Sequence, residues 1–252
     1  MNVLQFGLVT LVGVAAGILN TLAGGGSLLT LPLLIFLGLP ASTANGTNRI
    51  AVFVQNVTAA AGFRRKGFQS LRYGFFLAGP AVVGAILGAT VAVDISDRLF
   101  EQILGVLMLV ILVLILWNPV RKLEGSEEQL TPLRRWIAAF CFLFVGFYGG
   151  FIQAGVGFLV IATLTLVNGL DLVRTNSYKV VINSVFTAIA LLVFALHGEV
   201  NWTVGLLLAV GMGAGGWLGS HLAVEKGEPL IRAVLVIAVV VMSLRLLTGF
   251  SW

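Results

Sequence analysis

Charged side chains make up only 10% of the 252 residues, where a soluble domain carries about 25%. Hydrophobic residues reach 59%, and the mean hydropathy is +1.06. One soluble core could not hide that much apolar surface. A cytosolic enzyme, a nucleic-acid-binding domain and a disordered chain are therefore excluded. Cysteine is almost absent. The single Cys141 cannot form an internal disulfide, and it sits in an apolar run as a small core residue. The two histidines, His197 and His221, are too few for a metal cluster without carboxylates. The sequence offers no nucleophile–base set, no phosphate-binding glycine–lysine motif and no metal-ligand spacing. It reads as a non-enzyme without cofactor or bound metal. An ATP drive would need another chain, so a proton or ion gradient is the simpler source. The short alternating strands of an outer-membrane barrel are missing. So is the basic start of a cleaved signal peptide, and the first apolar stretch reads as a retained membrane segment.

What is present is a series of long apolar blocks. A spanning helix needs about 20 mostly apolar residues. Eight segments meet that length, at 3–22, 46–63, 73–93, 99–118, 136–153, 177–197, 202–223 and 231–249. Two are shorter: Ser27–Leu39 after Gly24-Gly25-Gly26, and Val156–Asn168 after Gln153-Ala154-Gly155. At about 1.5 Å per residue, about 13 residues cover only about 20 Å of a core about 30 Å thick. They read as broken, half-inserted or re-entrant helices. The expected fold class is all-α, a polytopic helical membrane protein in a lipid bilayer.

The main hydrophilic interruption, 118–135, divides the chain into 1–117 and 136–252. The two parts look like repeats. Gly25 with Ser27 lies against Gly155 with Gly157, and Arg49 lies against Lys179 at the same spacing. Gly84 and Gly88 lie near Gly215 and Gly219. Each part reads long, short, long, long, long. Basic residues in short loops mark the cytoplasmic side. Arg64, Arg65, Lys66 and Arg72 mark one such loop, and Arg121, Lys122, Arg134 and Arg135 mark the linker. The matching loop of the second part, 197–201, has no Lys or Arg and is expected outside. Equivalent loops on opposite sides imply two inverted repeats of about five segments each. The number of crossings per repeat must then be odd. Either the short segments cross, or each forms a non-crossing hairpin with the segment before it. Both termini are expected outside.

Inverted repeats with interrupted segments at matching places are the pattern of secondary transporters, whose sites lie at the broken helices. Asn20, Thr21, Gly24, Gly25, Gly26 and Ser27 form the first such place. Its glycines let backbone amides approach a ligand, Ser27 suits a helix N-cap, and the helix start beyond favours an anion. Gln153, Gly155 and Gly157 form the second. The bland alternative is that these glycines only permit close packing. The next long segments each open on donors around a cation. These are Thr47, Asn48 and Arg49 in one, and Asn176, Ser177, Tyr178 and Lys179 in the other. A charge in the bilayer costs at least about 2.5–3.5 kcal/mol, so the two cations are candidates to face one anion site. The competing reading has them at helix ends, snorkelling to the interface. Gln55, Asn56 and Asn183 read as interhelical hydrogen-bonding groups or as path lining. His221 is a candidate for proton coupling, with an interfacial donor as the alternative. Gly13-x-x-x-Gly17, Gly146-x-x-x-Gly150 and Gly211-x-x-x-Gly215-x-x-x-Gly219 read as packing faces. Trp117, Trp136, Trp202 and Trp252 read as interface markers.

The stretch GILNTLAGGGSLLTLPLLIFLGLPASTANGTNRIAV, Gly17–Val52, resembles the N-terminal signature of the sulfite exporter TauE/SafE family of membrane transporters. Phe147–Leu164 and Arg174–Phe186 resemble its second copy, with Ala162 standing where Pro32 does. The resemblance implies transport of small sulfur-containing anions, sulfite or organosulfonates, across a bacterial inner or plasma membrane by seven to nine segments. The expected partners are a small anionic substrate and the bilayer, with no nucleic acid and a homo-oligomer left open. An anion channel and a structural or regulatory membrane subunit are the rival readings.

Overall fold

The computed structural model describes residues 3–68, 71–117 and 128–225. The 231–249 segment, Trp252, most of the 118–135 linker and both chain ends lie outside the described residues. Within them the structure is helical, with α1 Val3–Ala23, α2 Ser27–Phe36, α3 Ala41–Arg65, α4 Leu71–Asp94, α5 Asp97–Trp117, α6 Pro132–Phe151, α7 Val156–Asn168, α8 Leu172–Leu196 and α9 Trp202–Glu225. Stretches of α1, α4, α8 and α9 are long and apolar enough to cross a membrane, whereas α2 and α7 are apolar but too short.

Local chemistry sets several boundaries. The Asp171 side chain caps α8 by accepting from the Arg174 amide at 2.9 Å. Pro132 opens α6 at a position that needs no amide donor. Three helices begin earlier than their apolar blocks suggest. α3 starts at Ala41, α8 at Leu172 and α6 at Pro132, so the last four residues of the hydrophilic linker already form a helical turn. The polar starts of α3 and α8 are buried against protein rather than lipid. A hydropathy reading that treats lipid as the only solvent trims them away.

Helix direction follows from residue pairing. Gly13 packs on Leu208 and Gly211, and Gly17 on Met212 and Gly215, so α1 and α9 run parallel. Gly84 packs on Leu143 and Phe147, and Gly150 on Ala85, so α4 and α6 run parallel. α3 runs with α9, since Gly205 meets Ile50 and Gly216 meets Gln55. α8 runs with α4, since their starts meet at Gly74 with Tyr178 and Val181, and the loops after both approach Ser42 and Thr43 through Asp97 and Glu199. α3 and α8 oppose each other, with Gly46 near Phe194 and Phe63 packed against Val180.

The loop contacts sort the ends. Ser42 N donates to Asp97 Oδ1 at 2.9 Å, Thr43 Oγ1 to Glu199 Oε2 at 2.5 Å, and Asn201 N to Thr47 Oγ1 at 2.8 Å. The α2–α3, α4–α5 and α8–α9 loops therefore share one end, near Pro40. Ser177 Oγ donates to the Phe68 carbonyl, Lys66 Nζ to the His221 carbonyl, and Gln129 N to the Asn168 carbonyl. The α3–α4 and α7–α8 loops and the ends of α6 and α9 share the opposite end, near Phe68. α1 with α2 enters from the Pro40 end and returns to it. α6 with α7 does the same from the Phe68 end. α1 with α2 and α6 with α7 are therefore hairpins, each with its two outer ends on one side of the described structure.

The two largest apolar cores among the described residues do not follow the halves. One joins α1, α2, α3 and α9, around Val9, Leu34, Val52 and Met212. The other joins α4, α6, α7 and α8, around Leu77, Phe142, Leu164 and Phe186. Each takes the fourth helix from the other half, and the pattern is preserved when the halves are exchanged. The expected glycine packing faces are the seams: a methyl at Gly146 would overlap Ala81 backbone, whereas at Gly79 it meets nothing within 4 Å. Gly146→Ala is expected to lower stability by about 1–3 kcal/mol through overpacking. Gly79→Ala is expected to be neutral or to stabilise by up to about 1 kcal/mol. Thermal unfolding in detergent separates the two.

Candidate functional site

The two hairpin turns meet inside the molecule. Gly24 has φ +81° and Gly155 φ +71°, conformations that favour glycine. Gln153, buried, also has positive φ at +57°. A Cβ on Gly24 would strike Gly157, and one on Gly157 would strike Gly24. The turns thus touch backbone to backbone. Gly25 is buried between them without a positive φ. Gly26 has ordinary helical angles and occupies the N-cap of α2 with no side-chain cap bond. The expected capping role of Ser27 is therefore corrected. Ser27 is the first helical residue, and its hydroxyl accepts from Asn48 Nδ2 at 3.1 Å. Glycine stands at position 26 because a Cβ would collide with the Ala16 carbonyl and lie 2.6 Å from Asn20 Cβ.

Each hairpin's first helix ends in a run of carbonyls that the following turn serves only in part, through the Gly24 amide on the Asn20 carbonyl at 2.9 Å in the first hairpin. The other half closes them. Lys179 Nζ on α8 donates to the Asn20 and Thr21 carbonyls at 3.0 and 2.9 Å, and Asn176 Nδ2 to the Leu22 carbonyl at 3.2 Å. Arg49 on α3 donates to the Gly149 and Gly150 carbonyls at 3.0 and 2.5 Å, and Asn45 Nδ2 to the Phe151 carbonyl at 2.7 Å. The carboxamides also hold the cations. Lys179 Nζ donates to Asn176 Oδ1 at 2.5 Å, and Arg49 to Asn45 Oδ1 at 3.4 Å. The guanidinium lies 4.5 Å over the Phe194 ring. Arg49 is 0% exposed and Lys179 1%. Their burial rules out interfacial snorkelling. Among the described residues no carboxylate pairs with either cation; the ion pairs there belong to Arg174 with Glu128 and Asp171.

A polar network surrounds the first turn. Asn20 Nδ2 donates to Gln55 Oε1 at 2.5 Å, Gln55 Nε2 to Thr21 Oγ1 at 2.7 Å, and the Gly26 amide to Asn20 Oδ1 at 3.3 Å. Thr30 Oγ1 donates to Asn48 Oδ1 at 2.6 Å. Around the second turn, Gln153 Nε2 donates to Thr187 Oγ1 at 2.8 Å, and Tyr148 Oη to the Ala154 carbonyl at 2.6 Å. Among the described residues, buried atoms without partners include the acceptors Gln153 Oε1, Asn56 Oδ1 and Asn183 Oδ1 and the donor Arg49 Nε.

Some expected site residues lie elsewhere. Thr47 faces the α8–α9 loop, Ser177 the Phe68 carbonyl, and the Tyr178 ring packs edge-on against Tyr73 at 5.6 Å. His221 bonds within its own helix, to the Trp217 carbonyl at 2.9 Å, near the Phe68 end. Asn45, Gln55, Thr30, Thr187 and Tyr148 belong to the constellation although the sequence pattern did not single them out as binding residues. The signal for Asn45 was its position four residues before Arg49, on the same helical face.

The family described as sulfite exporter TauE/SafE matches residues 9–246. A "Probable membrane transporter protein YfcA" of Escherichia coli K12 is 32% identical over 97% of this chain and 90% of its own length. A "Probable membrane transporter protein" of Haemophilus influenzae is 29% identical over 96% of this chain and 94% of its own. A Sinorhizobium protein, "Probable membrane transporter protein ORF9", is 29% identical over 98% and 95%. No solved structure matches.

Gln55→Leu would leave Asn20 Nδ2 unpaired and take the donor from Thr21 Oγ1, which keeps its own bond to the Gly17 carbonyl. An orphaned buried group costs about 1–3 kcal/mol. Asn56→Leu removes an acceptor that already lacks a partner and one bond to its own helix, Asn56 Nδ2 to the Val52 carbonyl. Gln55→Leu is expected to lower the thermal midpoint clearly, and Asn56→Leu to leave it near wild type.

Proposed function

The chain belongs to the sulfite exporter TauE/SafE family, and on that footing we propose that it is a secondary transporter of a small oxyanion, sulfite or an organosulfonate. The proposal places it in the bacterial inner membrane, as two inverted repeats working by alternating access. The Lys66–Phe68 loop and the linker face the cytoplasm, and the 197–201 loop and both termini face outside. The observation that carries the reading is the pair of buried cations without carboxylates at the meeting of two helix breaks. A helix C-terminus carries about half a negative charge and an N-terminus about half a positive one. Arg49 and Lys179 therefore overcompensate the ends of α1 and α6. The starts of α2 and α7 add to the same sign. The centre is left electropositive inside low dielectric, which favours an anion and repels a cation.

In this reading the turns around Gly24, Gly25, Gly26 and Ser27 and around Gln153, Gly155 and Gly157 bring backbone amides to the anion. Asn20, Thr21, Asn48 and Asn176 hold the turns in shape, and Arg49 and Lys179 supply the potential. Thr47, Ser177 and Tyr178 would join only in another arrangement of the helices. The two four-helix cores, each built from both halves, are the bodies that would rock about the Gly24–Gly157 contact.

Uptake of labelled sulfite and organosulfonates into proteoliposomes tests this. Saturable uptake is expected, with Arg49→Lys active and Arg49→Gln reduced by roughly tenfold or more, the worth of about 1.5–3 kcal/mol of charge interaction. Unsaturable conductance would identify a channel. Failure to move any oxyanion, or wild-type uptake by folded Arg49→Gln, would overturn the reading.

A further inference from the structure

The C-terminal end of a broken membrane helix is a cation site in waiting. It offers unpaired carbonyls and partial negative charge, and in transporters such ends, with unwound carbonyls, coordinate sodium. Both ends are present here, and both are filled from within. Three successive carbonyls close the end of α1, at Asn20, Thr21 and Leu22, and three close the end of α6, at Gly149, Gly150 and Phe151. At each end a cation takes the first two and a carboxamide one turn earlier on the same helix takes the third. The same carboxamide's oxygen also accepts from the cation.

The three protons of Lys179 meet three oxygens, the carbonyls of Asn20 and Thr21 and Asn176 Oδ1. That is a small oxygen shell around one positive charge, the arrangement a bound monovalent ion would adopt. It is assembled without a carboxylate among the described residues. Lys179 and Arg49 also come from the half opposite to the carbonyls they close. A sodium ion arriving from solution would have to displace a charge tied to the same site by its own chain.

We infer that Lys179 and Arg49 are tethered cations standing where a coupling sodium ion would otherwise bind, and that neither helix break takes sodium. This goes beyond the oxyanion reading, because it concerns the driving ion and holds whichever anion moves. The cycle then draws on protons, on exchange or on the substrate gradient.

The test is thermal unfolding of the purified full chain in detergent, in sodium, choline and methylammonium chlorides of equal ionic strength. Wild type is expected to unfold at the same midpoint in sodium and choline. Lys179→Ala opens the α1 end, and methylammonium is expected to raise its midpoint over choline by about 3 °C, the order for a weak ligand of the folded state. Methylguanidinium is expected to do the same for Arg49→Ala, and neither ion to rescue the other variant. A merely structural side chain would show no such matched rescue. Sodium-specific stabilisation of wild type overturns the inference, and so does a folded alanine variant that responds alike to every cation. If neither variant folds, the wild-type comparison of sodium with choline decides alone. No substrate anion enters the experiment, so its failure leaves the oxyanion reading standing, and failed anion uptake leaves this inference standing.

Discussion

A helix that stops inside a membrane leaves carbonyls that neither water nor lipid can serve. The rest of this structure depends on how that constraint is met. α1 and α6 both stop in the interior, and each is closed by a cation and a carboxamide from the other half of the chain. Neither half can satisfy its own break. The hairpins therefore hold their shape only when the halves are assembled, and among the described residues the two buried charges are solvated by backbone carbonyls rather than paired with acids.

The packing repeats this interdependence. The seams between α1 and α9 and between α4 and α6 are close enough that added methyls would overlap backbone on both sides. Each seam joins one half's first helix to the other half's fourth. Lipid supplies no hydrophobic drive between such helices, so close backbone approach provides the attraction. The outcome is two main cores of mixed origin, which meet backbone to backbone at Gly24 and Gly157 and are also tied by the Arg49 and Lys179 bonds and by Phe63 against Val180.

Much of this was legible in the sequence. The glycine seams, the start of α2 at Ser27 and both ends of α7 follow from small-residue spacing and apolar length. The positions of Arg49 and Lys179 were legible as charges in apolar surroundings. Their partners were not, because a cation seeking carbonyls leaves no acidic residue in the sequence to find. Thr47 and Ser177 were misplaced for a geometric reason. Each lies two residues before a cation, and residues two apart do not share a helical face. Asn45 and Asn176, four and three residues before, do. Gln55 was legible as an interhelical hydrogen-bonding group, and it bonds Asn20 and Thr21; Thr187 was hidden because a lone polar residue in an apolar helix looks the same whether it bonds locally or across.

The opposed direction of the two halves is the account's central claim, and site-directed labelling in intact cells tests it most directly. Cys141 would be replaced by alanine, and single cysteines introduced as Arg64→Cys in the exposed end of α3 and His197→Cys in the exposed loop after α8. A membrane-impermeant thiol reagent is expected to label position 197 in whole cells and position 64 only after the membrane is opened. Labelling of both positions from the same side would contradict the account.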